Sequence, residues 1–130
     1  MQIEKINDAL RYTFILSFES YVFDLGQLLE KLKRKGFVIP KNKIWNAWRN
    51  VETKYDTGYR GINATIISSQ GQKFELQFHT KESFQLKMKT HTLYKEAVSA
   101  KTSAVRKNEI IQMMVEFSKS ILIPKGVTKI

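Results

Sequence analysis

The sequence predicts an α+β domain, with a mixed or antiparallel sheet and helices packed on one face. Three observations carry this. Apolar and polar residues alternate in three separate stretches, the period of half-buried strands. Other segments place apolar residues at helical spacing, with cap residues at their ends. The elements follow the order strand, helix, short strands, hairpin, helix, helix, without internal repeat, so residues 1–130 read as a single domain.

The first strand is expected over Leu10–Phe18, where Leu10, Tyr12, Phe14, Leu16 and Phe18 alternate with Arg11, Thr13 and Ser17. Ser20 then suits the N-cap of a helix through Lys35, with Leu25, Leu28, Leu29 and Leu32 as its apolar stripe and Gly36 closing it. Phe37–Ile39 is a short apolar run stopped by Pro40, and Ile44–Trp48 reads as a second short strand. In Arg60–Ser68, Ile62, Ala64 and Ile66 share a face. Ser69-Gln70-Gly71-Gln72 is turn-like, and Lys73–His79 returns with Phe74, Leu76 and Phe78 on its apolar side. Thr80 is placed to cap a helix to about Ala97. Ser103 starts another, with Ile110, Met113, Met114 and Phe117 as its expected buried stripe, and Ile121–Ile130 reads as a tail.

Composition narrows the function. The chain of 130 residues has 22 Lys+Arg against 12 Asp+Glu, a net charge of +10. A basic domain of this kind meets a polyanion: nucleic acid, nucleotide, acidic lipid or acidic protein. The excess is uneven: residues 1–30 net −3, whereas residues 31–60 net +7 and include Lys31, Lys33, Arg34 and Lys35. Zero Cys excludes a disulfide scaffold, a zinc ribbon and a thiol nucleophile, and two His make a multi-histidine metal centre improbable. The sequence has no phosphate loop and no HExxH, and neither a signal peptide nor a membrane anchor is expected.

The chemistry concentrates on the polar sides of the strands. Side chains two apart point the same way, which groups Arg11 and Thr13, then Gly61, Asn63 and Thr65, then Glu75, Gln77 and His79. A solvated face collects Lys, Glu, Thr and Ser; this one gathers an Arg, a carboxylate, an imidazole and two carboxamides, a set able to bind phosphates and move protons. Glu75 and His79 lie roughly 13 Å apart at a strand's rise, so they flank a substrate rather than bond to each other. His91 sits on the following helix beside Lys87 and Lys95. Trp45, Trp48, Tyr55 and Tyr59, within the basic block, suit stacking on unpaired bases; packing against the sheet is the alternative for both tryptophans.

Gly58-Tyr59-Arg60-Gly61-Ile62-Asn63, then Phe74-Glu75-Leu76-Gln77-Phe78-His79-Thr80, then His91-Thr92-Leu93-Tyr94-Lys95, resembles the central signature of RelA/SpoT-type alarmone synthetase domains. Asn7-Asp8-Ala9-Leu10-Arg11-Tyr12-Thr13 looks like that family's first strand. The likeness is stronger still to a divergent branch that forms the C-terminal toxin domains of bacterial polymorphic, contact-dependent inhibition toxins. The resemblance implies Asp8 as a magnesium carboxylate, Tyr59 as a stacking partner for a nucleobase and Glu75 as the catalytic carboxylate. Gly61, Asn63 and His79 stand where the family has Ser, His and Arg. The sequence also starts too close to its first strand to hold the family's basic ATP-gripping segment, and this is the ground for expecting RNA chemistry here.

The leading expectation is accordingly an antibacterial toxin domain that cleaves RNA, with tRNA as its substrate, without a cofactor. His79, Glu75, Arg11 and Thr13 form the catalytic set. Tyr59, Arg60, Asn63, Gln77, His91 and the Lys31, Lys33, Arg34, Lys35 cluster hold the substrate. The alternatives are an ATP- and Mg2+-dependent pyrophosphokinase, using Asp8 for the metal in alarmone synthesis or RNA 3′-end modification, and a non-catalytic RNA-binding module. The toxin resemblance further implies delivery from a larger secreted protein into a target cytoplasm, an acidic immunity protein, and by analogy a translation elongation factor as partner.

Overall fold

The computed structural model of the protein describes residues 10–130. Its strands are β1 (Leu10–Ile15), β2 (Ile44–Asn46), β3 (Ile62–Ile67) and β4 (Lys73–His79). Its helices are α1 (Tyr21–Arg34), α2 (Lys81–Lys89), α3 (His91–Val98) and α4 (Ala104–Ser118). The strands form one mixed sheet in the order β1-β4-β3-β2. β3 and β4 are the expected hairpin, β2 is antiparallel to β3, and β1 runs parallel to β4 at the other edge. The predicted fold class holds.

Alternation decides what each face does. Ile62, Ala64, Ile66, Leu76 and Phe78 are buried on one face, joined by Tyr21 and Leu25 from α1 and by Trp48. Leu28, Leu29 and Leu32 complete the predicted stripe of α1 against this core. The fully buried Trp48 indole donates from Nε1 to Tyr21 Oη (3.2 Å), and Tyr21 donates onward to the Phe78 carbonyl. Burying an indole of 150–250 Å² contributes about 4–6 kcal/mol, and the two hydrogen bonds remove the cost of its polar atom.

Four local expectations need correction. The second strand stops at Asn46, whose side-chain oxygen accepts the Trp48 N–H and caps a 3-10 turn over Ala47–Asn50. The single helix expected from Thr80 to Ala97 is two. Thr80 and Ser83 form a reciprocal capping box at the start of α2, but buried Thr90 turns its hydroxyl back onto the Leu86 carbonyl (2.9 Å), and the helix is interrupted there before α3 begins at His91. A threonine bonding back to the carbonyl four residues earlier destabilises a helix in this way.

The inward line of α4 is Ile110, Met114 and Ser118, while Met113 and Phe117 are over a third exposed. The helix is turned by its contact with residues 56–60. Gly58 (φ +86°) lies so near the backbone of Met114 and Val115 that a Cβ there would fall 2.5 Å from the Met114 carbonyl carbon, and Ser118 meets Arg60. Finally, residues 121–130 are packed rather than a tail. Val127 is fully buried in the main core, and Asn46 Nδ2 donates to its carbonyl at 2.7 Å.

Candidate active site

Strand pairing assembles the polar face. One row across the sheet runs Arg11, Glu75, Thr65 and the next runs Thr13, Gln77, Asn63, Trp45. Directly paired residues share a face, so five expected site residues, Arg11, Thr13, Glu75, Gln77 and Asn63, come together. Between Trp45 and Glu75 the surface sinks into a cavity of about 240 Å³, lined by Lys43, Trp45, Asn63, Thr65, Glu75 and Gln77. Arg11 Nε is paired with a Glu75 carboxylate oxygen at 2.5 Å, with both side chains substantially exposed. Lys87 reaches over from α2 and donates to Gln77 Oε1 at 2.6 Å. Burial, then the nearby Arg11 charge, lowers the Lys87 pKa. A larger cleft of about 660 Å³ opens on the other face, lined by Leu25, Leu29, Ile44 and Ile62 among others, and it shares only Trp45 with the polar-face cavity.

The aromatic wall is built in layers. Trp45, 43% exposed, stacks on Tyr59 with centroids 5.3 Å apart and planes 12° apart. Tyr59 Oη bonds to Asn63 Oδ1 (2.8 Å) and to His79 Nε2 (3.1 Å). Burial pushes the phenol pKa well above its ordinary value. Tyr59 thus has a ring face and its hydroxyl committed internally, and Trp45 offers the outer aromatic plane. Trp48, the other tryptophan, belongs wholly to the core.

Seven of the expected site residues, His79, Arg60, His91 and the Lys31, Lys33, Arg34, Lys35 cluster, lie elsewhere than the sequence suggests. His79 is fully buried, covered by Tyr59, Phe84 and Gly61. Its Nδ1 bonds to Ser83 Oγ at 2.8 Å. Gly61 (φ +152°) leaves room for the imidazole, since a Cβ would fall 2.9 Å from His79 Cε1. Burial, then the Lys87 charge, holds the His79 pKa down to about 4. A buried neutral imidazole touches no substrate, so the acid–base role expected of it is corrected to a supporting one.

Arg60 is also buried. It forms two bonds to Asp56, at 2.8 and 3.0 Å, and one to Ser118. It shares the parity of Ile62 and Ala64, a signal in the sequence that placed it away from the polar face. Its partner Asp56, four residues earlier, was legible from the same stretch and was missed.

Lys31, Lys33, Arg34 and Lys35 end α1, which packs on the apolar face, so they are exposed on the side of the sheet opposite the cavity. His91 is exposed at the start of α3 and makes no hydrogen bond to the polar face among the described residues. Asp8 lies outside the described residues. Lys43, Lys87 and Ser83 are the site residues that sequence reasoning did not assign; the Thr80-x-x-Ser83 capping spacing was the only signal for the last.

His79 makes stability pH-dependent. Its folded pKa lies below the unfolded value of about 6.5, so the unfolded chain binds the proton first as pH falls. Stability should therefore be full above about pH 6.5 and decline by on the order of 3 kcal/mol by pH 4. Urea unfolding at a series of pH values checks this; a flat profile between pH 6.5 and 4 contradicts it.

This α+β fold, with its mixed four-stranded sheet, is shared with solved structures of alarmone synthetase and pyrophosphokinase proteins. The small alarmone synthetase 2 from Bacillus subtilis is similar with a TM-score of 0.52 and 17% identity, over 83% of this chain and 59% of that one. A GTP pyrophosphokinase family protein from Streptococcus pneumoniae is similar with a TM-score of 0.54 and 15% identity, over 91% of this chain. The chain spans 59% of the length of each. No protein-family model and no curated protein matches the sequence.

Proposed function

We propose that this chain is a catalytic domain of the pyrophosphoryl-transfer class, moving the terminal diphosphate of ATP onto a hydroxyl of a nucleotide or of an RNA 3′ end. The observation that carries this is the cavity itself: a lone carboxylate, Glu75, on a floor of carboxamides and a hydroxyl, between an exposed indole and lysine. The fold supports it, since both similar structures are named for pyrophosphokinase or alarmone synthetase activity. The ribonuclease reading needs a second acid–base group beside Glu75 to protonate the leaving oxygen, and His79, expected in that pair, is buried.

Glu75 takes the proton of the acceptor hydroxyl as that oxygen bonds to the β-phosphorus. The bond from the β-phosphorus to the oxygen bridging it to the α-phosphorus breaks, and AMP leaves. Arg11, Lys43 and Lys87 stand around this point and offset the developing phosphate charge. Magnesium takes one or two carboxylates and fills its shell with water and phosphate oxygens. Glu75 on the open cavity floor fits that demand, and among the described residues no cluster of three or more ligating side chains competes with it. Glu75 and Asp8 would hold the ion, which would neutralise phosphate charge there.

The net charge of +10 favours RNA as the acceptor. With it goes the setting that the resemblance implies: a toxin domain delivered from a larger secreted protein, acting on tRNA in a target cytoplasm and countered by an acidic immunity protein.

Incubation with ATP and magnesium, in separate arms with GDP, GTP and total tRNA, tests the reading. AMP release coupled to a diphosphate gained by one acceptor is expected on nucleotide chromatography. RNA shortened without ATP would replace this reading with a nuclease.

A further inference from the structure

Amide groups can present either a donor or an acceptor, and their neighbours decide which. At Gln77 the decision is simple. Lys87 has donors only, so Gln77 Oε1 must face it, and the Gln77 NH2 is left for the cavity it lines. At Asn63 the decision passes through a buried chain. The Thr80 N–H donates to Ser83 Oγ at 2.9 Å, and that hydroxyl lies nearer to His79 Nδ1 (2.8 Å) than to the Thr80 carbonyl (3.2 Å). With Ser83 donating to Nδ1, the neutral imidazole carries its proton on Nε2 and donates to Tyr59 Oη. Tyr59 has one proton, which goes to Asn63 Oδ1 at 2.8 Å. Asn63 is then left, like Gln77 paired beside it, with NH2 toward the cavity.

We infer that His79 is a positioning residue: through Tyr59 it fixes the Asn63 amide, as Lys87 fixes Gln77, so that both amides of the cavity floor turn their NH2 donors to the cavity and, beside Glu75, seat a phosphate group. A phosphate fits because its oxygens accept and, when ionised, do not donate. An exocyclic amine would set a donor against a donor. The cations Lys43 and Lys87 beside the same floor agree in sign. The inference deepens the transfer reading and rests on it for the identity of the site.

Calorimetric titration with pyrophosphate and with imidodiphosphate, whose bridging atom is an N–H donor, tests it. The natural protein should prefer pyrophosphate by about tenfold, the worth of one hydrogen bond gained against one opposed. Tyr59→Phe keeps the ring on Trp45 but frees the Asn63 amide to turn, and Lys87→Met frees Gln77. Each should lower the preference to about twofold, a change in selectivity that mere loosening of the fold does not produce. An unchanged preference in both variants overturns the inference, as does equal binding, or no binding, of the two probes by the natural protein. If the preference behaves as stated but no AMP forms from ATP, the transfer reading fails alone. If AMP forms while both variants discriminate as the natural protein does, this inference fails alone.

Discussion

Replacing Glu75 by glutamine is expected to lower transfer from ATP by about 10²–10⁴-fold, the usual contribution of a positioned base. The substitution preserves shape and removes only the charge and the ability to take a proton. Its cost to the fold should be small. The Arg11–Glu75 pair is exposed on both sides, and such pairs are worth about 0–1 kcal/mol. Anion binding should hold or improve, because the one carboxylate that lines the cavity among the described residues is gone. The signature is thus a collapse of turnover with unfolding temperature and pyrophosphate affinity retained. AMP release followed by chromatography, beside a thermal melt, measures both. Turnover within a few-fold of the natural protein would remove Glu75 from the chemistry.

Arg60→Ala should be the most damaging substitution for stability, by about 3–5 kcal/mol, the cost of leaving one member of a buried ion pair alone. The side chains of Arg60 and Asp56 are 3% and 6% exposed, so water cannot replace the lost partner. The guanidinium also holds Ser118 of α4 and the Tyr59 carbonyl, so its loss loosens the aromatic wall of the cavity. Chemical denaturation is the direct measurement. The double variant Arg60→Met with Asp56→Leu should recover much of the loss, since apolar replacement of both partners removes the stranded charge.

Acid acts on the same pair. Burial alone would raise the Asp56 pKa, but hydrogen bonds from Arg60 and the Gly58 N–H, with the Arg60 charge, outweigh it and hold it below the ordinary value. Its contribution is therefore present above about pH 3.9 and is lost as pH falls through the lower folded value, a window beneath that of His79.

Period-2 alternation made the polar face legible, because the parity of Asn63, Glu75 and Gln77 does not depend on which strands are neighbours. The Lys73–His79 strand is legible to the residue for the same reason, and the start of α4 from the Ser103 cap; Ser20 precedes α1 as expected, but its hydroxyl donates to Asp24 rather than capping the backbone. Depth was not legible. Parity puts His79 on the polar side, but α2 decides that the ring is covered, and α2 arrives through contacts of Ser83 and Phe84 that no local pattern announces. Charge was legible as a count and not as a direction. The +7 block divides in space, with Lys43 at the cavity and the Lys31–Lys35 cluster on the opposite side. Arg60 was misread because its basic side chain was weighed above its parity.

The Val127 packing also governs when this molecule becomes itself during synthesis. A core that joins Tyr21, Phe78 and Val127 draws on segments made early, midway and late. Its contacts are long-range, so they form late and together. A nascent chain lacking residue 127 has β1, β3 and β4 but an open apolar face, with the Asn46 amide still without the carbonyl it holds in the finished protein. Such a chain is a client for chaperones. The core beneath the polar face is thereby incomplete until residues 121–130 have emerged and Val127 has joined Trp48 in it.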